Sequence, residues 1–285
     1  MTLQATAFTT YDAKGIREDL ADVIYNISPE ETPLVSMLSR KTATATLHEW
    51  QTDTLAAAVT NNAQLEGDAI TSVTAATATV RVGNYMQIMR KTFGITGTEE
   101  RVKKAGRGSE VSYQTAKKGA ELKLDQEATI FANIGGNAGN TTTARAMATL
   151  GAWLKTNTNI GTGAAADPVW TSGVPSAGRV DGTQRAFTET IHKDVLSQMF
   201  TAGARLRFMF TGPVNKANAS AFAGVATKNY DLSGKPRPTA IIGAADVYVS
   251  EFGYLSIIPT RSQRERDVWY LDPDMLSIPV LRPMD

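Results

Sequence analysis

Side chains able to do chemistry are few in this sequence. His48 and His192 are the only histidines among 285 residues, and cysteine is absent. A general base needs a named partner within reach. His48 falls in a strand-like stretch and His192 in a helix-like one beside Lys193 and Asp194, so both read as packing or surface residues. Asp272 and Asp274, in LDPDML, could hold a hard cation, but a calcium loop supplies more oxygen ligands than this, and a strand-end turn is the expected reading. Without thiols there are no disulfides, no thiolate nucleophile and no cysteine metal site. No phosphate-binding loop, dinucleotide fingerprint, HExxH or nucleophile elbow occurs. Asn140 and Asn218 start N-glycosylation triplets, which carry no weight without a secretion signal. The aromatics are few and scattered, so no stacking platform for single strands is expected. The expectation is no enzyme, no cofactor and no metal. One charged cluster remains, RSQRERD, with Arg261, Arg264, Glu265, Arg266 and Asp267 between two strand-like runs. It could be a solvated turn, a DNA contact or a contact with another copy of the chain.

Composition narrows these choices. Apolar residues make up 42% of the chain, enough for a sizeable core. The formal net charge is +1, so no long-range field recruits nucleic acid or an acidic membrane, and anion binding would have to be local. The start has no basic-then-apolar leader and no run of 18 apolar residues occurs, which reads as a cytosolic chain without a membrane anchor.

The elements that would position these residues can be read from periodicity. Residues to about 14 read as an extended arm. Ile16, Leu20, Val23, Ile24 and Ile27 then recur at helical spacing. A second helix is expected from Ser28 as N-cap, Pro29 at the first helical position and Glu31 returning a hydrogen bond. Between 42 and 92 the period falls to two: Val80, Val82, Met86 and Ile88 alternate with Arg81, Gly83, Tyr85 and Gln87, and ATATLHEWQTD can pair with this strand. Strands of about 19 residues would reach about 60 Å, far beyond the usual 17 to 20 Å or so. Such a hairpin projects, and its small, polar far end must rest on a neighbour.

Residues 99–105 read as one or two helical turns closed by Gly106 and Gly108. A long helix is expected over 109–133, with Ser109 as N-cap and Tyr113, Ala116, Ala120, Leu124, Ala128 and Phe131 on one stripe. Residues 135–186 carry little pattern beyond a short helix around 144–154. A helix follows with Ile191, Val195, Met199 and Ala202 inward and Gly203 as its stop. RLRFMFTG reads as a strand and PVNKANASAFAG as a helix opened by Pro213. The chain ends in the strands DVYVSEFG, YLSIIPT, DVWYLDP and SIPVLRP.

Three blocks in order, KKAGRGSEVSYQTAKKGAELKLDQEATIFAN, TTTARAMATLGAWLKTNTN and VYVSEFGYLSIIPTRSQRERDVWYLDPDMLSIPVLRP, resemble the major head proteins of tailed bacteriophages with the HK97-like capsid fold. The resemblance runs from about residue 20 to the end. It implies an α+β subunit with an N-terminal arm at 1–41, an E-loop at 42–92 and a P-domain at 93–139 and 241–285, with spine helix 109–133 and P-loop 260–267. The A-domain is expected at 140–240. Asn61, Asn62, Glu66 and Asp68 would form the E-loop tip. Gly94, Gly97, Gly106 and Gly108 would be hinges, with ordinary turn glycines as the alternative. Arg261, Arg264, Glu265, Arg266 and Asp267 would meet symmetry mates through alternating charges.

The implied function is a major capsid protein that self-assembles as pentamers and hexamers into the icosahedral or prolate head of a tailed double-stranded DNA phage. Its location would be the virion, after assembly in the bacterial cytoplasm. Implied partners are many copies of itself, a portal, a scaffolding protein, in some cases decoration proteins, and packaged DNA held by weak non-specific contact, with no membrane. An encapsulin-like nanocompartment shell is the alternative, and an unrelated hydrolase or carbohydrate-binding protein the more distant rival. Some relatives join an E-loop lysine to a P-domain asparagine. Here no lysine lies between Lys41 and Lys91, and no asparagine lies in 260–272, so a shell without covalent links is expected.

Overall fold

The structure, a computed structural model, describes residues 14, 28–29, 31–70, 73, 75–222 and 246–284. The expected arm before residue 14 and the helix expected over 15–27 lie outside the described residues. Two units emerge from the contacts, 1–30 with 91–121 and 31–90 with 122–285.

In the second unit the chain enters as α1 (Pro33–Met37) and β1 (Ser39–Thr42). The expected start at Ser28 is corrected: Thr32 is the N-cap and Pro33 the first helical residue. Proline lacks an N–H and is tolerated only in a first turn, so a helix holding Pro33 begins there. The hairpin base follows as β2 (Leu47–Thr52) and β3 (Val80–Tyr85), antiparallel, with Leu47 opposite Tyr85 and Thr52 opposite Val80. The pairing is as read from the sequence, but the strands are six residues each, about 20 Å. The expected 60 Å of strand is corrected: residues 86–96 and 53–59 carry no strand. Past Thr52 and before Val80 the Thr- and Ala-rich flanks at 53–59 and 75–79 are exposed, and without a covered face the ladder has no packing to extend it there.

In the first unit, α2 (Gly97–Arg101) leads to the long helix α3 (Glu110–Ile130), whose last turns belong to the second unit. Its 21 residues span about 32 Å. Ser109 caps it as expected, its Oγ accepting from Ser112 N at 3.2 Å. The Glu100 carboxylate adds a non-local cap, accepting from Glu110 N at 2.9 Å and Val111 N at 3.2 Å. That exchange satisfies donors a helix start leaves free, and the hydrogen bond from Ser109 is the main cause holding the Glu100 carboxyl below its usual range.

Further along come α4 (Leu150–Trp153), the hairpin β4 (Val169–Thr171) and β5 (Val174–Ala177), α5 (Glu189–Thr201), β6 (Phe208–Thr211) and α6 (Pro213–Ser220). After 246 come β7 (Val247–Ser250), β8 (Gly253–Pro259), β9 (Val268–Leu271), a 3-10 turn at Pro273–Met275 and β10 (Ser277–Val280), which pairs in parallel with β1. Sheet order is β7-β8-β6-β9, with β6 parallel to β8 and antiparallel to β9. One sheet thus takes strands from both sides of residue 240.

β6 explains the core. Alternation sends Met209 to one face and Phe210 to the other, both fully buried. Met209 joins Leu196 of α5, Ala219 of α6, Tyr248, Leu255 and Ile257. Phe210 joins Leu34 of α1, Phe131, Leu150 and Leu271. The result is a mixed α+β unit with helices over both faces of the sheet. On α5 the buried stripe is His192, Val195, Leu196 and Met199, while Ala202 is exposed. That corrects the expected inward place of Ala202, which lies beyond the helix next to Gly203.

Candidate functional site

His192 and the aspartates of LDPDML have structural partners. His192 is 1% exposed, ringed by Phe187, Phe222, Tyr248 and Tyr270. Its Nδ1 lies 2.6 Å from Tyr270 Oη, a hydrogen bond whose donor depends on the imidazole tautomer. Burial pushes the imidazole down to about 4, and burial pushes the Tyr270 phenol above its usual range. His48 sits on β2 against Trp50. Asp272 caps the 3-10 turn by accepting from Asp274 N at 3.1 Å, and both aspartates pair with Arg207, the strand-end turn expected. Asn140 turns its Oδ1 to its own loop, accepting from Thr142 N and Thr143 N at 2.8 and 2.7 Å. Among the described residues no group of three or more His, Asp or Glu is placed to hold a metal, and no helix is long and apolar enough to cross a membrane.

Three of the four tryptophans cluster in space. Trp50 stacks on Trp153 at 5.3 Å, and Trp153 meets Trp170 edge-on at 5.0 Å. They line a groove of about 1760 Å³ and fix the hairpin base to the body. Asn84 of β3 completes that attachment: its Nδ2 donates to Ala148 O at 2.9 Å while its Oδ1 accepts from Ala148 N at 2.8 Å.

Beyond this base the described hairpin residues, 53–70, 73 and 75–79, are exposed. Leu55 is 100% exposed and Ile70 88%, and Val59, Leu65 and Val73 are also largely exposed. Asn61, Asn62, Glu66 and Asp68 are exposed around a turn in which Gly67 has φ +82° and Asp68 N donates to Leu65 O.

Of the four expected hinge glycines, Gly106 has a positive φ, +75°, which side chains rarely adopt. A Cβ on Gly94, Gly97 or Gly108 would meet nothing within 4 Å, and Gly97 is the first residue of α2.

The loop 260–267 is interlocked with its own chain. Arg261 pairs with Glu31 at 2.7 Å, while Arg264 pairs with Asp181 and, at 3.3 Å, with Asp267. Arg266 lies 3.5 Å from Asp181 and donates to Gly182 O at 2.7 Å. The Glu265 carboxylate stays outward, its backbone C=O accepting from Asn215 Nδ2 at 2.7 Å. Burial raises the Asp267 carboxyl, with Arg264 drawing it back. Sequence reading placed the loop but missed Asp181, 83 residues from Arg264, and Glu31. Ion pairs this distant leave no local signal.

Glu127 had a signal. It falls three residues after Leu124 and four before Phe131, so it shares their stripe, yet the hydrophobic scale favours Ala128. The structure corrects this: Glu127 is 0% exposed and Ala128 is exposed. The buried carboxylate accepts from Leu34 N at 3.1 Å and Val35 N at 2.8 Å, closing the start of α1.

What these surfaces define is a mixed α+β subunit that exposes a hairpin segment and a charged loop, with His192 committed to packing. A family model described as SU10 major capsid protein matches residues 2–285, and the chain belongs to that family. The major capsid protein of Escherichia phage Phieco32 is 37% identical to it over 122 residues, covering 43% of this chain. The matched stretch spans 34% of that relative's length.

Proposed function

We propose that the chain is the shell-forming subunit of a tailed-phage head, with the HK97-like capsid fold, assembling as pentamers and hexamers around packaged double-stranded DNA. The observation that carries this reading is the family match across residues 2–285 together with the exposed apolar side chains Leu55, Val59, Leu65, Ile70 and Val73. A chain that buries its core well elsewhere keeps such side chains in water only if another surface covers them. In this reading residues 1–41 are the arm, 42–92 the E-loop, 109–133 the spine and 140–240 the axial A-domain. Each interface can be modest, because a subunit meets several neighbours and the contacts sum. A standard interface of about 1,600 Å² can then be divided among arm, hairpin and loop. The hinge role of Gly106 belongs here, since its backbone alone of the four glycines needs the left-handed region. A portal, a scaffolding protein and assembly in the host cytoplasm follow from the same reading.

Sedimentation of particles made in host cells, followed by nuclease treatment and extraction, tests it. Nuclease-protected DNA in fast-sedimenting particles is expected. Particles with protein cargo and no DNA would favour a nanocompartment, and a chain remaining at 30.6 kDa would reject shell formation.

A further inference from the structure

Arg264 and Arg266 both turn to one carboxylate, and that carboxylate stands on a braced segment. Val180 exchanges two backbone hydrogen bonds with Ala166, at 3.0 and 3.2 Å, and Thr183 N donates to Thr162 O at 2.9 Å. Asn133 holds both sides of Arg179, accepting from its N at 2.8 Å and donating to its O at 2.6 Å. A Cβ on Gly182 would lie 2.7 Å from Gly161 O, so the two strands of loop are in backbone contact. That carboxylate therefore stands on a backbone fixed by contacts outside the arginine loop.

The outer groups behave differently. Arg261 and Glu31 are 65% and 78% exposed in their side chains, and a pair so wet contributes little to the fold. Exchanging partners with a second copy therefore costs little. Arg261, Glu31 and Glu265 are all exposed and carry both signs, which is what a contact between identical surfaces requires.

We propose that Asp181 is the positioning residue of the 260–267 loop. It takes up Arg264 and Arg266 within the chain, so that the surface offered to a second copy is Arg261, Glu31 and Glu265. This rests on the shell-subunit reading above.

The test uses the full chain, with two readouts: limited tryptic digestion of unassembled subunits, and particle yield. Asp181→Asn is expected to speed cleavage after Arg264 and Arg266 about fivefold or more, with other sites unchanged, and to cut yield about tenfold. Asp181→Glu should recover most of both. Arg264→Gln breaks the same pair from the loop side and should speed cleavage after Arg266, which guards against a simple folding failure of the first variant. Arg261→Glu should leave digestion at Arg264 and Arg266 unchanged but cut yield, and adding Glu31→Arg should restore it. Wild-type digestion and yield in Asp181→Asn would overturn the positioning role while leaving the shell reading intact. Full yield with Arg261→Glu would overturn the outward set. If the unaltered chain forms no particles, the shell reading itself fails, and the digestion arm alone still decides the clamp.

Discussion

His192 and Glu127 are both buried, yet acid affects them in opposite directions. The imidazole titrates near 4 in the fold against about 6.5 unfolded. Its stabilising contribution is therefore complete above about pH 6.5 and is lost as pH falls toward 4, on the order of 3 kcal/mol in all. Melting of the unassembled subunit should drop across that window, and the drop should shrink in a His192→Phe, Tyr270→Phe double variant, which removes the titrating ring without stranding the phenol. An unchanged slope would place the acid sensitivity elsewhere. Burial raises the Glu127 carboxyl, so its term is most favourable below its ordinary range and is lost as pH rises through the raised value. What Glu127 contributes at neutral pH is hydrogen bonding to Leu34 N and Val35 N. Glu127→Leu strands both donors and should cost about 2 kcal/mol or more, a fall of roughly 4 to 8 °C in melting temperature.

At the scale of elements, the hairpin is fastened at its base, and its described residues beyond Thr52 and before Val80 are exposed. Asn84 satisfies both backbone groups of Ala148 through one amide. Asn84→Leu leaves them unmet in a partly buried site, and a loss of about 2 to 4 kcal/mol is expected, measurable by urea unfolding of the subunit. Element types were largely legible in the sequence, because periodicity of two and of 3.6 follows directly from burial. Ser109, Pro213 and Gly203 marked helix ends through backbone chemistry that needs no tertiary context. Three things were missed for one reason, that each depends on residues far apart in the chain. The short hairpin ladder ends where packing ends, Glu127 is buried because α1 supplies two donors, and the tryptophan cluster draws on β2, α4 and β4. The charged loop itself could be found as a run of signs, but the acids that occupy it could not.

In the second unit, helices lie over both faces of one sheet, and Leu55, Val59, Leu65 and Ile70 of the hairpin are left exposed. The account predicts that sister copies cover them without covalent links. With no lysine between Lys41 and Lys91 and no asparagine in 260–272, boiled particles on a denaturing gel should give one band near 30.6 kDa; a ladder would contradict this. Electron cryo-microscopy of the assembled chain tests the central claim most directly. The account predicts closed shells in which Leu55, Val59, Leu65 and Ile70 are buried against a neighbouring copy. Isolated subunits with residues 53–79 folded back on their own body, or shells with those side chains left in water, would contradict it.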